Sequence, residues 1–215
     1  MTTVGILGGT GPAGRGLAVR LAAGGHDVLV GSRDGSRASE VASGLVAPAG
    51  SIRGADNAGA ADAEIVVVAT PWDSAVATVR ELRDALAGKV VISMVNALAK
   101  EAREMVPLYP PRGSMAAQIA AALPTSHVVG AFHHLPASEM ENLASALAAD
   151  VVIFGDDAAS RTRVEELVAD MPGLRPVIAG SMSLASAVEA FTAVCISINI
   201  RHKAHSYVTL AGLQG

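Results

Sequence analysis

The chain is poor in aromatic residues, with three Phe, two Tyr and one Trp among 215 positions. It has a single cysteine, Cys195, and no excess of positive charge, since 16 Lys and Arg stand against 20 Asp and Glu for a formal charge of -4. Each shortage excludes something. One thiol cannot close an internal disulfide, and Cys195 lies in an apolar run, where it reads as a small buried hydrophobe rather than a nucleophile. Without a basic footprint, binding to duplex nucleic acid or to an anionic membrane surface is not expected. Charged residues make up only 17% and hydrophobic ones 51%, which excludes disorder and predicts one domain, or one domain with a small appendage. The opening run MTTVGILGG enters a strand-like segment at once, with no basic stretch leading into a long apolar one. No signal peptide is therefore expected, and the protein reads as cytoplasmic.

One stretch is apolar enough to raise the question of a membrane span, residues 176–200, PVIAGSMSLASAVEAFTAVCISINI. Glu189 sits in its middle, Ser186, Glu189, Thr192 and Asn199 recur at near-helical spacing, and Pro176 and Gly180 break its start. A span needs about 18–20 nearly uninterrupted apolar residues. The pattern predicts instead a helix buried on most sides, with a narrow polar stripe.

Along the rest of the chain, strand and helix patterns alternate. Strands are predicted at 3–8, 27–31, 64–70, 89–94, 127–133, 150–155 and 173–179, with a weak one at SIRGADN. Helices are predicted at 12–24, 36–47, 73–86, 114–123, near 138–148 and at 157–170. The run EIVVVAT is of the β-branched kind found in parallel strands buried on both faces. The alternation predicts an α/β fold, a Rossmann-type doubly wound, mostly parallel sheet over 1–180, with a small helical C-terminal domain at 181–215. The segment 96–113, with three prolines, reads as a long loop, and such loops are disproportionately functional.

The strongest motif is GGTGPAG at 8–14. Gly9, Gly11 and Gly14 satisfy G-x-G-x-x-G between a predicted strand and a predicted helix, with Thr10, Pro12 and Ala13 between them. The first glycine permits the turn, the second lets the backbone approach a pyrophosphate, the third allows close helix packing, and the helix N-terminus favours the anion. The next strand ends Gly31-Ser32-Arg33, where an NAD site usually carries a carboxylate, and Arg37 follows one helical turn on. A 2′-phosphate is met by charge-assisted donors, so NADP is expected over NAD. Asp34 reads as the N-cap of the helix that follows.

Three further segments end strands on the same carboxyl edge, where ligands of open α/β sheets bind. They are Thr70-Pro71-Trp72, Ser93 to Asn96 with Ala97 following, and Phe132-His133-His134-Leu135-Pro136. A carbonyl substrate would call for a proton donor over the nicotinamide, and the inventory is thin: His133, His134 and Lys100, with no carboxylate obviously orienting either histidine. Adjacent strand residues point to opposite faces, so the two histidines do not make a metal pair, and no metal is expected. Trp72 reads as packing beneath the cleft rather than stacking on a base.

The run GILGGTGPAGRGLAVRLAAGGHDVLVGSR, the TPW, the VPLYPPRGSMAAQI segment, AFHHLPA, and GDD followed by GLRPVIAGSMSLASAVE resemble the NADPH-dependent deazaflavin reductases, the coenzyme F420:NADP oxidoreductases. The similarity covers nearly the whole chain, and FHH-x-PA and GLRP-x-x-AG are its most specific blocks. The resemblance implies a homodimer, a C-terminal part that contributes to it and to the deazaflavin cleft, and reversible hydride exchange between NADP(H) and F420. It implies that Thr10 and Pro71 support the nicotinamide half, Ser32, Arg33 and Arg37 the 2′-phosphate, and His133, Leu135 and Pro136 the deazaflavin ring. His133 is then a positioning contact rather than an acid or base, because hydride passes between two carbons and alignment to about 3–3.5 Å is most of the catalysis. Arg112, Arg201 and Lys203 are the cations available to the acidic deazaflavin tail, against a plain surface role; His202 and His205 read as solvated helix ends. Two other readings fit the scaffold: an NADP-dependent reductase of a small carbonyl or imine, and a non-enzymatic NADP(H) sensor.

Overall fold

The computed structural model describes residues 1–213. The elements follow the chain as β1 (Thr3–Leu7), α1 (Pro12–Ala23), β2 (Asp27–Ser32), α2 (Gly35–Ser43), β3 (Ser51–Asp56), α3 (Asn57–Ala61), β4 (Ile65–Val68), α4 (Trp72–Glu81), α5 (Arg83–Leu86) and β5 (Val90–Ser93). Then come β6 (Leu98–Glu101), β7 (Glu104–Pro107), α6 (Met115–Ala122), β8 (His127–Gly130), α7 (Ala137–Glu141), β9 (Ala149–Gly155), α8 (Ala158–Ala169), β10 (Leu174–Gly180) and α9 (Ala185–His202). Eight strands form one sheet in the order β10-β9-β8-β5-β4-β1-β2-β3. All neighbours pair in parallel except β8 and β9. The order reverses between β1 and β4, which opens a crevice at their carboxyl ends.

Alternate side chains of the central strands feed two cores. Val4, Ile6, Val67, Ile92 and Val129 pack with α1 and α8 on one face. Leu7, Val66, Val68 and Val91 pack with α3, α4 and α6 on the other. With both faces covered, all four residues of β4 are buried, the reason that it reads as an unbroken apolar run.

The strand predicted at 127–133 ends at Gly130, the helix predicted at 73–86 breaks at Leu82 into α4 and α5, and the short α3 has no predicted counterpart; three further departures bear on the site. The 96–113 segment is not a plain loop, because β6 and β7 pair antiparallel as a hairpin, turned at Ala102, which has φ 51° without being glycine. The helix near 138–148 is only α7, five residues long. Arg20 takes the carbonyls of Glu139, Met140 and Asn142, and the Ala144 N–H donates to Asn142 Oδ1 instead of continuing the helix. The third departure is α9, which is not buried on most sides. Its polar stripe faces inward, with Glu189 and Thr192 each 5% exposed, while Phe191, Val194 and Ile198 are 44–47% exposed. By length and composition the helical stretch Met182–His202 would also suffice to cross a membrane; here its polar face is docked on the start of α6 and on the segments that follow β5 and β8.

Candidate functional site

The glycine turn crosses the carboxyl end of β1. Gly8 has φ 71°, a left-handed conformation that a side chain would strain, and its N–H donates to Asn57 Oδ1 at 3.2 Å. A Cβ on Gly14 would lie 2.6 Å from Gly9 Cα, so the first turn of α1 rests directly on the loop, whereas a Cβ on Gly11 would meet nothing closer than 3.8 Å. Pro12 opens α1, where its missing N–H costs nothing, and no side chain caps this end. An uncapped, open helix start beside a backbone stripped of Cβ atoms fits a pyrophosphate. Thr10 is half-buried and Pro12 and Ala13 are exposed at its mouth.

At the end of β2, Ser32 is half-buried and Arg33 and Arg37 are exposed. Among the described residues neither guanidinium forms an ion pair. Asp34 is the N-cap that the sequence predicts: its Oδ1 accepts the Ser36 N–H at 2.9 Å and the Arg37 N–H at 3.3 Å. Its charge is thereby turned toward α2. Ser32, Arg33, Asn57, Ser74 and Thr78 line a cavity of about 430 Å³ here.

The next two strand ends bring Thr70, Ser93, Asn96 and Ala97 to the same edge. Thr70 and Ser93 are buried, and among the described residues their hydroxyls have no hydrogen-bond partner. Trp72 does not pack beneath the cleft: it is the first residue of α4 and 40% exposed, because exposed Pro71 at the N-cap projects this end of the helix beyond the sheet.

Beyond β8 the chain forms the opposite wall. Phe132 has φ 68°, and left-handed backbone at a buried non-glycine residue is costly and clusters at functional sites. Here it separates the two sides of His133. The His133 carbonyl accepts from Asn96 Nδ2 at 3.3 Å and from the Thr192 hydroxyl at 3.3 Å, and that hydroxyl is also 3.0 Å from Asn96 Oδ1. The His133 imidazole stacks on Phe154 with ring centroids 5.4 Å apart, and both ring nitrogens are buried without a partner among the described residues. Burial, with His134 nearby, pushes it down to about 3. The ring therefore does not present its nitrogens to the cleft, so any contact His133 makes there through a polar group runs through its backbone. His134 points elsewhere, its Nε2 2.7 Å from the Val188 carbonyl and its ring edge-on to Phe191. Among the described residues no three His, Cys, Asp or Glu side chains are grouped to hold a metal.

These walls enclose a cleft of about 280 Å³ between Ala13, Asn96, the 132–137 segment and the inner side of α9. Leu135 and Pro136 are half-buried on its rim. Thr192, Cys195 and Asn199 of α9 complete it, and burial pushes the Cys195 thiol up. Sequence reasoning read Thr192 and Asn199 only as parts of a polar stripe and assigned Asn57 nothing. The one signal available was the polar spacing itself, which marks a stripe on the helix but not which face is docked. Glu189 anchors that face: its two carboxylate oxygens accept the Met115 and Ala116 N–H groups at the start of α6, at 2.7 and 2.8 Å. Of the distal cations, Arg201 is 3.5 Å from Glu104, and Arg112 and Lys203 are exposed. His205 is not simply a solvated end, since its Nδ1 lies 3.2 Å from the Ser138 hydroxyl.

The family model described as NADP oxidoreductase, coenzyme F420-dependent, matches residues 3–97. An F420-dependent NADP reductase of Methanocaldococcus jannaschii is 31% identical over 93% of each chain. Another from Methanothermobacter thermautotrophicus is 30% identical over 93% of this chain and 90% of its own. A crystal structure from Arthrobacter sp. FB24, provisionally assigned as an F420-dependent NADP reductase, superposes with a TM-score of 0.81 at 26% identity, covering 96% of this chain and 97% of that one. By whole-length similarity, the chain belongs to the F420-dependent NADP reductase family.

Proposed function

We propose that this protein is an NADPH-dependent F420 reductase, moving a hydride reversibly between NADP(H) and the deazaflavin F420. The observation that carries the reading is the cleft itself: an open glycine turn faces a wall of apolar and neutral polar side chains, among them Leu135, Pro136, Asn96, Thr192 and Asn199, with no carboxyl or ammonium group among the described lining residues. Bound NADP(H) supplies one reacting carbon and the deazaflavin the other, so no proton has to be delivered to either. The chain's own work is to bind and align. Gly9, Gly11 and Gly14 with Thr10, Pro12 and Ala13 hold the pyrophosphate and nicotinamide side. Ser32, Arg33 and Arg37 hold the 2′-phosphate, and Thr70, Pro71, Trp72, Asn96 and Ala97 border the nicotinamide. His133, through its backbone, and Leu135 and Pro136 shape the deazaflavin wall. Backbone N–H groups at this edge are the donors suited to negative charge on a reduced ring.

A reductase of a small carbonyl or imine would need a proton donor here. His133 is neutral and sealed, His134 is committed to Val188, and Lys100 lies exposed on the hairpin. None of the three is free at the reacting edge. The division of labour follows: 1–180 as the NADP-binding domain and 181–215 as the part that closes the deazaflavin cleft, with Gln214 and Gly215 outside the described residues. The outward stripe of Phe191, Val194 and Ile198 borders a groove of about 530 Å³ between α9 and the hairpin. An apolar stripe of this kind supports a homodimer through α9, and the net charge of -4 supports a cytoplasmic protein without a nucleic-acid or anionic-membrane partner.

Deazaflavin absorbance followed with NADPH and NADH in parallel tests the function. Rapid bleaching with NADPH and much slower bleaching with NADH is expected. No bleaching with either overturns the reading.

A further inference from the structure

Arg20 lies in the third turn of α1, 2% exposed, and its guanidinium is held by carbonyls alone. Nε donates to Met140 at 3.0 Å, Nη1 to Pro172 at 3.2 Å, and Nη2 to Glu139 at 2.7 Å and Asn142 at 2.9 Å. Enclosing a charge this way is expensive unless every donor is met, and burial lowers this guanidinium from its ordinary value. Three of the four carbonyls belong to 139–142, the segment that continues the cleft wall 132–137. The helix whose first turn carries the glycine loop thus holds, through its interior, the chain that carries the opposite wall.

Two neighbours set the spacing of that joint. A Cβ on Gly16 would lie 2.7 Å from Met140 Cβ and 2.8 Å from the Ala137 carbonyl, so α1 and α7 touch backbone to backbone. Arg15 Nε pairs with Glu141 Oε2 at 3.2 Å on the outer side. Because β9 runs antiparallel to β8, the 131–148 connection stays at the ligand edge instead of crossing a face of the sheet. It has no strand beneath it to fix its height, and α1 supplies the fixing.

We infer that Arg20, with Gly16 beside it, is a positioning residue for the hydride transfer: it sets the separation of the two half-sites without touching either ligand. The inference rests on the assignment of those half-sites above. When two carbons exchange a hydride without acid or base, rate follows alignment, and a misplacement of about 1 Å can cost about 100-fold. Arg20→Lys keeps the charge but offers one nitrogen to carbonyls spread around a planar fork. Gly16→Ala keeps the fork and forces α7 away from α1.

The test compares wild type, Arg20→Lys and Gly16→Ala in steady state with NADPH and F420. NADPH affinity is titrated separately, the isotope effect is measured with deuterated NADPH, and all assays run below each variant's unfolding temperature. In both variants kcat/KM for the deazaflavin should fall about tenfold or more, with NADPH affinity within about twofold, and the isotope effect should rise as hydride transfer becomes limiting. Lower unfolding temperatures with unchanged deazaflavin kinetics would reduce Arg20 to a structural staple and overturn the inference. So would parallel losses of NADPH and deazaflavin affinity, which mark general loosening. An inactive wild type overturns the functional reading and this inference together, whereas an active wild type with unaltered variants overturns this inference alone.

Discussion

The glycine turn and α9 face each other across one cleft and are built by opposite rules. Around the turn, apolar side chains point inward and charged ones, Arg20 excepted, point outward, with Ile6, Leu17 and Leu21 buried and Arg33 and Arg37 exposed. In α9 the polar residues Glu189 and Thr192 point inward and Phe191, Val194 and Ile198 outward. The first region is completed by its own chain and presents only what a ligand needs. The second uses its polar contacts to hold the helix in place, at the start of α6 through Glu189 and at Asn96 through Thr192, and leaves its apolar face exposed. A site built from local chemistry thus sits opposite a wall that contacts distant in sequence hold in place.

The comparison breaks most visibly at the turn. Replacing Ser32 and Arg33 together by Glu should lower NADPH affinity by about 100-fold, the worth of one or two charge-assisted contacts at ~1.5–3 kcal/mol each, while NADH affinity changes only a few-fold. Equal losses in a titration of both dinucleotides would show that β2 does not choose between them. At the other region, Phe191→Glu with Ile198→Glu should halve the mass measured by light scattering and leave NADPH binding unchanged. Substitutions at exposed positions cost the isolated fold little, within about 0.5 kcal/mol. A double variant of unchanged mass would mean that the outward face of α9 is not the dimer surface.

What was legible in the sequence divides along the same line. β1, α1 and β2 follow from local chemistry: an apolar run, glycines at fixed offsets, Pro12 at a helix start and Asp34 at an N-cap. The inversion of α9 was not legible, because a polar stripe on an apolar helix gives the same periodicity whichever face is docked, and only the partner at the start of α6 decides. The hairpin was hidden because its turn uses Ala102 in the left-handed region where glycine or asparagine would have announced it. The helix expected near 138–148 has adequate helical propensity, and it ends early because a residue about 120 positions away takes its carbonyls. His133 was found by motif, but the motif could not tell that Phe132 turns its carbonyl to Asn96 and Thr192 and its ring onto Phe154.

A pH titration of stability tests how α9 is held. Burial raises the Glu189 carboxyl to about 7, although the Met115 and Ala116 N–H groups pull it back down. A folded-state value above the unfolded one means that the folded chain binds the extra proton. The stability it contributes is therefore fully present below the unfolded value of 4.5 and is lost as pH rises toward 7, to a limit of ~3 kcal/mol. The wild-type unfolding temperature should accordingly fall between pH 5 and pH 8, and Glu189→Gln should flatten that fall. The amide, like the protonated carboxyl, keeps one acceptor for the α6 start and sets one donor against an N–H, and it carries no charge to desolvate, so the two proteins should differ least at low pH and diverge as pH rises, with the variant becoming the more stable. A variant whose unfolding temperature tracks the wild type in parallel across this range would show that Glu189 stays ionised throughout. Its hold on α6 would then be an ordinary helix-capping charge, and α9 would be fixed to the sheet as firmly at pH 8 as at pH 5.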